Sequence, residues 1–267
     1  MSEAAGFVTI DWRGRPVAIE YERIAAPAAD APLLVFLHEG LGSVAMWKDF
    51  PQRLCSAGGF GGLVYSRPGY GRSTARVADE VWATDFMHRQ AHEVLPALLS
   101  ALDISDAPWL FGHSDGASIA LLHAARFAQR VRGLVLLAPH VFVEDITVQS
   151  IAQAKRAYDT AGLRERLARY HQDVDSAFGG WSRIWLDPAF RSWNVVAELA
   201  AVQAPVLAIQ GLGDEYGTLE QVRSIARSVQ RCTLLEWPAC GHSPHRDRPD
   251  DVVAATIAFV RAASVPT

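Results

Sequence analysis

Two hydrophobic rhythms divide the chain. Near the start, FVTIDWRGRPVAIEYERI alternates apolar and polar positions around Arg13-Gly14, which predicts an antiparallel hairpin. After the short linker APAADAP the pattern changes to continuous apolar runs: PLLVFLH, GGLVYS, APWLFGH, RGLVLLAP, APVLAIQG and CTLLEWP. Short runs without a polar face are expected of strands buried on both sides, as in a parallel sheet. Stretches of helical spacing lie between them, at 44–57, 80–102, 115–128, 219–229 and 247–263. Strand and helix in alternation predict an α/β fold, a mostly parallel sheet with helices on both faces.

One interval interrupts this rhythm. Between RGLVLLAP and APVLAIQG lie residues 141–203, far more than one crossover helix needs. ITVQSIAQAKRAYDTAG, LRERLARYHQD and FGGWSRIWLDPAFRSWNVVAELAAV all read as helix, with Trp181, Trp185 and Trp193 concentrated there. The expected organisation is a core domain of residues 1–140 and 204–267, with 141–203 as a helical insertion packed over one end of the sheet.

Composition narrows the classes of function. Half of the 267 residues are hydrophobic, enough for one sizeable core burying roughly 75% of the unfolded surface. Lys and Arg total 25 against 29 Asp and Glu, a net charge of −4, so no basic surface for nucleic acid or an anionic membrane is expected. The three cysteines, Cys55, Cys232 and Cys240, form no disulfide pattern and fit a reducing compartment. MSEAAGFVTIDWRG carries neither the basic segment nor the apolar run of an export signal. No apolar stretch approaches the ~20 residues of a membrane span. The expectation is a cytoplasmic protein, monomer or homodimer, acting on a small molecule.

The candidate chemistry begins in LFGHSDGASIALLHAA. Ser114 stands where a predicted strand turns sharply into a predicted helix. Such a turn strains the backbone and demands small neighbours, which Gly112, Gly116 and Ala117 supply. It exposes the hydroxyl beside a helix N-terminus, where developing negative charge is favoured. A serine needs a base to become a nucleophile. Of nine histidines, His242 in PACGHSPHRD is best placed, in a Gly-containing loop after the last strand. His245 is its rival, with loop support or pocket lining as its expected role. His113 should point away from the site, and His88, His92, His123 and His171 read as surface or packing residues. Asp214, just past the strand in LAIQGLGDEYGT, is the carboxylate that would orient the base. Backbone amides must face the developing oxyanion, and Asp115 with Gly40 of FLHEGLGS are the candidates. No cofactor or metal is implied, since the triad uses His242 better than a site built from HSPH and Asp247.

Taken together, HEGLG, SRPGYGRS, GHSDGAS, GLGD and CGH resemble the α/β-hydrolase superfamily, in its capped branch of esterases and ring-cleavage hydrolases. The resemblance covers about 7–263. It implies an eight-stranded, mostly parallel sheet with a cap inserted after the sixth strand. It also implies Ser114 as nucleophile, His242 as base, Asp214 as orienting acid, and Gly40 and Asp115 as oxyanion donors.

Three positions depart from the family pattern. Relatives usually read His-Gly where this chain has His38-Glu39; the added carboxylate is expected to pair with Arg67 or Arg72, or else to select substrates. Arg67 stands where many relatives keep an acidic residue. Asp115 is often uncharged, and its side chain should turn toward the helix N-terminus, away from the oxyanion. Glu39, His38, His245, Trp181 and Trp185 are the expected substrate-contacting residues. The reading favoured is hydrolysis of a small ester, lactone or similar acyl compound. The alternatives are carbon–carbon bond hydrolysis of a ring-cleavage product, weakened by Ser243-Pro244 where such relatives often carry tryptophan, and a non-catalytic small-molecule receptor. Dehalogenase and epoxide hydrolase chemistry would need an aspartate at position 114.

Overall fold

The apolar runs all become strands. In a computed structural model, which describes residues 4–77 and 80–264, the hairpin is β1 (Ala4–Trp12) and β2 (Arg15–Ile24). The first residues of the N-terminal stretch, 1–3, lie outside the described residues. The runs form β3 (Leu33–Leu37), β4 (Gly61–Tyr65), β5 (Trp109–His113), β6 (Gly133–Leu137), β7 (Val206–Gly211) and β8 (Cys232–Trp237). Among the described residues these eight strands make one sheet in the order β1-β2-β4-β3-β5-β6-β7-β8. β1 and β2 are antiparallel to each other, and β2 is antiparallel to β4; the remaining pairs are parallel.

Burial explains the missing alternation. Every residue of β4, β5, β6 and β7 is buried, because helices cover both faces. Along β3, Leu34 and Phe36 join the apolar core of one face while Val35 and Leu37 join that of the other. β8 lies at the edge of the sheet and is only half-buried.

The helices are α1 (Phe50–Gly58), α2 (Phe86–Arg89), α3 (Leu95–Ala101), α4 (Asp115–Arg126), α5 (Asp145–Thr160), α6 (Leu163–Leu167), α7 (Val174–Trp185), α8 (Glu220–Ser228), α9 (Pro244–Asp247) and α10 (Pro249–Ala263). A π turn, Gln90–Val94, joins α2 to α3. α4 is buried from Asp115 to Ala124, which accounts for its small and apolar sequence. Among the described residues no helix is long and apolar enough to cross a membrane.

Several boundaries differ from the sequence expectation. The helix expected at 44–57 is a 3-10 turn, Val44–Trp47, then a break at Lys48 (φ 53°) and α1. Pro51 is tolerated in the first turn of a new helix but not inside an older one. Pro249 likewise separates α9 from α10. The helix expected at 80–102 begins only at Phe86; ahead of it the Glu80 carbonyl accepts from the Arg76 side chain. In the inserted segment α7 ends at Trp185; beyond it Pro188 opens a 3-10 turn, Pro188–Ser192, and a second follows at Val196–Ala201.

Candidate active site

Parallel strands bring their C-terminal ends to one edge of the sheet, and the loops leaving neighbouring strands share a crevice. The loops after β3, β5, β7 and β8 carry Glu39-Gly40, Ser114, Asp214 and His242 respectively. Ser114 has φ 52° and ψ −120°, a backbone that costs energy for a residue with a Cβ. The turn is held by the Ser114 amide donating to the Leu137 carbonyl (2.9 Å). It is also held by close backbone packing: a methyl on Gly112 would lie 2.5 Å from the Ala117 Cα, and one on Gly116 would overlap the Leu37 carbonyl.

The three polar side chains form a chain of contacts. Ser114 Oγ lies 3.0 Å from His242 Nε2, and His242 Nδ1 donates to Asp214 Oδ1 at 2.8 Å. Asp214 Oδ1 also accepts from the Tyr216 amide (2.8 Å), and its Oδ2 from Gln210 Nε2 (3.1 Å). Burial alone would raise the Asp214 acid, but the His242 N–H, its charge and the Tyr216 amide outweigh it and hold the acid below its ordinary value. Glu215, the neighbouring carboxylate, instead accepts from the His242 backbone amide (3.2 Å). Among the described residues neither the Gly40 amide nor the Asp115 amide finds a protein acceptor.

Glu39 differs from expectation. Its carboxylate meets neither Arg67 nor Arg72 but His113 Nδ1 (3.5 Å) and Arg246 Nη2 (3.2 Å). Burial pushes the Glu39 acid up; His113 and Arg246 outweigh it, leaving it well below the usual range. Arg67 binds the Glu39 backbone carbonyl instead (2.9 Å). Asp115 also departs: its carboxylate faces Arg67 (3.6 Å), because no solvent reaches this acid and the buried guanidinium is the available countercharge. Burial raises the Asp115 acid, with Arg67 and the Trp185 indole acting against it.

Two expected substrate contacts are structural. His38 is fully buried; its Nδ1–H donates to the Glu39 carbonyl (2.7 Å) and its Nε2 accepts from the Arg67 amide (3.0 Å). Burial, then Arg67, lowers its basicity well below that of free histidine, which suits a ring using one nitrogen as acceptor. His245 is buried against Trp47, Phe50 and His113, with ring centroids 5.0, 5.4 and 4.8 Å away, and does not reach Ser114. His113 does point inward, as expected, and its Nε2–H donates to the His242 carbonyl (2.7 Å).

From α7, Trp181 and Trp185 approach the same loops. The Trp181 indole fills the space that a side chain at Gly40 would occupy. Trp185 packs edge-on against His140, with ring centroids 5.2 Å apart. His140 itself escaped the sequence reading. It follows β6, lies 5.7 Å from the His242 ring, and donates from Nε2 to the Tyr216 carbonyl (3.2 Å). The signal for it was its place just past the C-terminal end of a buried strand. Burial first, and the nearby His242 next, push its pKa down to about 4. Among the described residues no group of three His, Cys, Asp or Glu side chains is arranged to hold a metal ion.

The sequence profile of the alpha/beta hydrolase family matches residues 34–256, most of the chain and every loop just described. The chain belongs to this family. The hydrolase is 29% identical over 248 residues to a 2-succinyl-6-hydroxy-2,4-cyclohexadiene-1-carboxylate synthase of Klebsiella pneumoniae (strain 342), covering 84% of this chain and 91% of that one. It is 22% identical over 263 residues to the 2-hydroxy-6-oxo-6-phenylhexa-2,4-dienoate hydrolase of Comamonas testosteroni, covering 88% and 89% respectively. Its fold resembles that of the enol-lactonase of Burkholderia xenovorans LB400, with a TM-score of 0.75 at 20% identity over 96% of this chain and all of that one.

Proposed function

We propose that this hydrolase cleaves a small carboxylic ester, lactone or similar acyl compound through a covalent intermediate on Ser114. The observation that carries the reading is the unbroken contact from Ser114 Oγ through His242 to Asp214, beside two amides that find no acceptor among the described residues. His242 takes the hydroxyl proton as Ser114 Oγ bonds the substrate carbonyl carbon, and Asp214 orients the imidazole and stabilises its charged form. The carbonyl oxygen, now negative, receives the Gly40 and Asp115 amides. Collapse breaks the bond to the leaving group, which takes the proton from His242. Water, deprotonated by the same histidine, then bonds the acyl carbon; the bond to Ser114 Oγ breaks, and the serine takes the proton back from His242 as the acid leaves.

Residues 141–203 act as the cap in this reading, with Trp181 and Trp185 as the apolar wall of the substrate pocket. Apolar lining with a few placed polar groups is the usual character of such pockets. Glu39 is paired with His113 and Arg246, and Asp115 with Arg67, so the preference for neutral acyl groups over anionic ones rests in this reading on the apolar wall of the cap. Carbon–carbon bond hydrolysis by the same three residues is the second reading, favoured by the likeness to the dienoate hydrolase of Comamonas testosteroni. A soluble, cytoplasmic enzyme working without a cofactor fits both.

Labelling with a fluorophosphonate tests the nucleophile. Wild type is expected to be modified at Ser114 and to turn over an activated aryl ester. Ser114→Ala should keep its fold and retain at most roughly 10³–10⁴-fold acceleration over water. Near-wild-type rates in that variant would refute the assignment. A wild-type preference for dianionic substrates over neutral esters of similar size would favour the carbon–carbon reading.

A further inference from the structure

Arg67 is the most deeply buried cation of the site, with no exposed surface, and the chemistry of the triad leaves it without a task. Its Nη2 donates to the Glu39 carbonyl (2.9 Å) and lies 3.6 Å from the Asp115 carboxylate. Its guanidinium sits over the Tyr70 ring, 4.7 Å from the centroid. Its backbone amide donates to His38 Nε2, and the same His38 ring donates to the Glu39 carbonyl. Arg67 therefore reaches that carbonyl twice, once directly and once through histidine. The Gly42 amide (3.0 Å) is a third donor to it.

The direction of this pull matters. All described peptides are trans, and in a trans peptide the carbonyl of one residue and the amide of the next point opposite ways. Donors holding the Glu39 carbonyl inward thus aim the Gly40 N–H outward, and a guanidinium on the oxygen polarises that N–H. The same guanidinium faces the side chain of Asp115, whose amide is the other donor that finds no acceptor among the described residues. We propose that Arg67 is a positioning residue that sets and polarises both amides of the oxyanion hole, tying the loop after β3 to the start of α4. This rests on the reading of Ser114 as nucleophile.

The test compares Arg67→Met, Arg67→Lys and the double variant Arg67→Met/Asp115→Asn, the last leaving no unpaired buried charge. All three keep the backbone amide that bonds His38, and so keep the second route to the Glu39 carbonyl. The readouts are kcat and KM on an activated aryl ester, and inhibition by a boronate that forms a tetrahedral adduct with serine. Losing an oxyanion-hole donor costs about 10²–10³ in kcat, so a misaimed donor should cost about 10- to 100-fold. The double variant should show that loss in kcat, with KM nearly unchanged and boronate affinity falling in parallel. Arg67→Lys should recover part of it, since an ammonium restores charge but not the span of the guanidinium.

A double variant with kcat within about twofold of wild type would mean that Arg67 only neutralises Asp115, and would overturn the proposal. So would a fall in kcat with unchanged boronate affinity. Fluorophosphonate labelling of wild type separates the two ideas. Unlabelled wild type removes the reading of Ser114 and this proposal with it; labelled wild type beside unaffected variants removes Arg67 alone.

Discussion

At the residue scale, neighbouring side chains of the same type are assigned different tasks by their contacts. His242 touches both Ser114 and Asp214, while His245 is wedged among aromatic rings. His242→Ala is therefore expected to lose as much activity as Ser114→Ala, with no further loss in the double variant, because residues acting as one unit are not additive. His245→Ala should spare much of kcat and lower the melting temperature instead. Asp214 accepts from the His242 ring and from backbone amides, whereas Glu215 supports only the His242 backbone. Asp214→Asn should cost about 10⁴ in kcat by fixing the wrong tautomer, and Glu215→Gln far less. Steady-state kinetics on one aryl ester check all of these variants; equal losses at 214 and 215 would contradict the assignment. The hydroxyl at 114 was legible because its turn requires small neighbours. The partners of Glu39 were not, since His113 and Arg246 lie 74 and 207 positions from it.

At the element scale, α7 and the loop after β3 fit together through a missing side chain. Gly40 lacks a Cβ, and the Trp181 indole occupies the vacant volume. Gly40→Ala should push this indole aside and destabilise the protein by about 1–3 kcal/mol, as overpacking does. Trp181→Ala, costly by itself, should relieve the added strain, so the double variant is more stable than the two single losses predict. A double-mutant cycle of denaturant midpoints measures this; strict additivity would show that the two residues do not compete for space. The helices themselves were legible where proline and burial agreed with periodicity, as in α4 and α8. Periodicity and structure differ at 44–57 and 80–102. A proline that starts a new helix breaks a run of helical spacing in a way that periodicity does not encode.

At the scale of the whole molecule, buried histidines set a limit on acid stability. Burial pushes His123 and His140 down to about 4, so both are neutral in the folded protein near neutral pH. In the unfolded chain a histidine titrates near ~6.5. Between these values the unfolded state binds more protons, so stability is present above ~6.5 and is lost as pH falls toward 4. From pH 7 to pH 5 each residue should remove about 2 kcal/mol. Urea midpoints at the two pH values measure the loss. His123→Gln, which keeps a donor for the Ala91 carbonyl, should flatten it. An unchanged slope in that variant would remove His123 from the acid response.

The sequence alone determined the alternation of strand and helix, the six strands of apolar runs, the long segment between the fourth and fifth of those runs and the small-residue turn around Ser114. These follow from local rules: the period of side chains, the φ of proline and the steric demand of one sharp turn. Only the tertiary structure decided that His38 and His245 serve the scaffold, that His113 bridges Glu39 to the His242 loop, and that Arg67 holds the Glu39 carbonyl while facing Asp115. Those outcomes depend on which strands become neighbours and on which charges lose solvent together. Buried ions take whatever partner lies within a few ångströms, and that distance is a property of the folded sheet rather than of spacing along the chain.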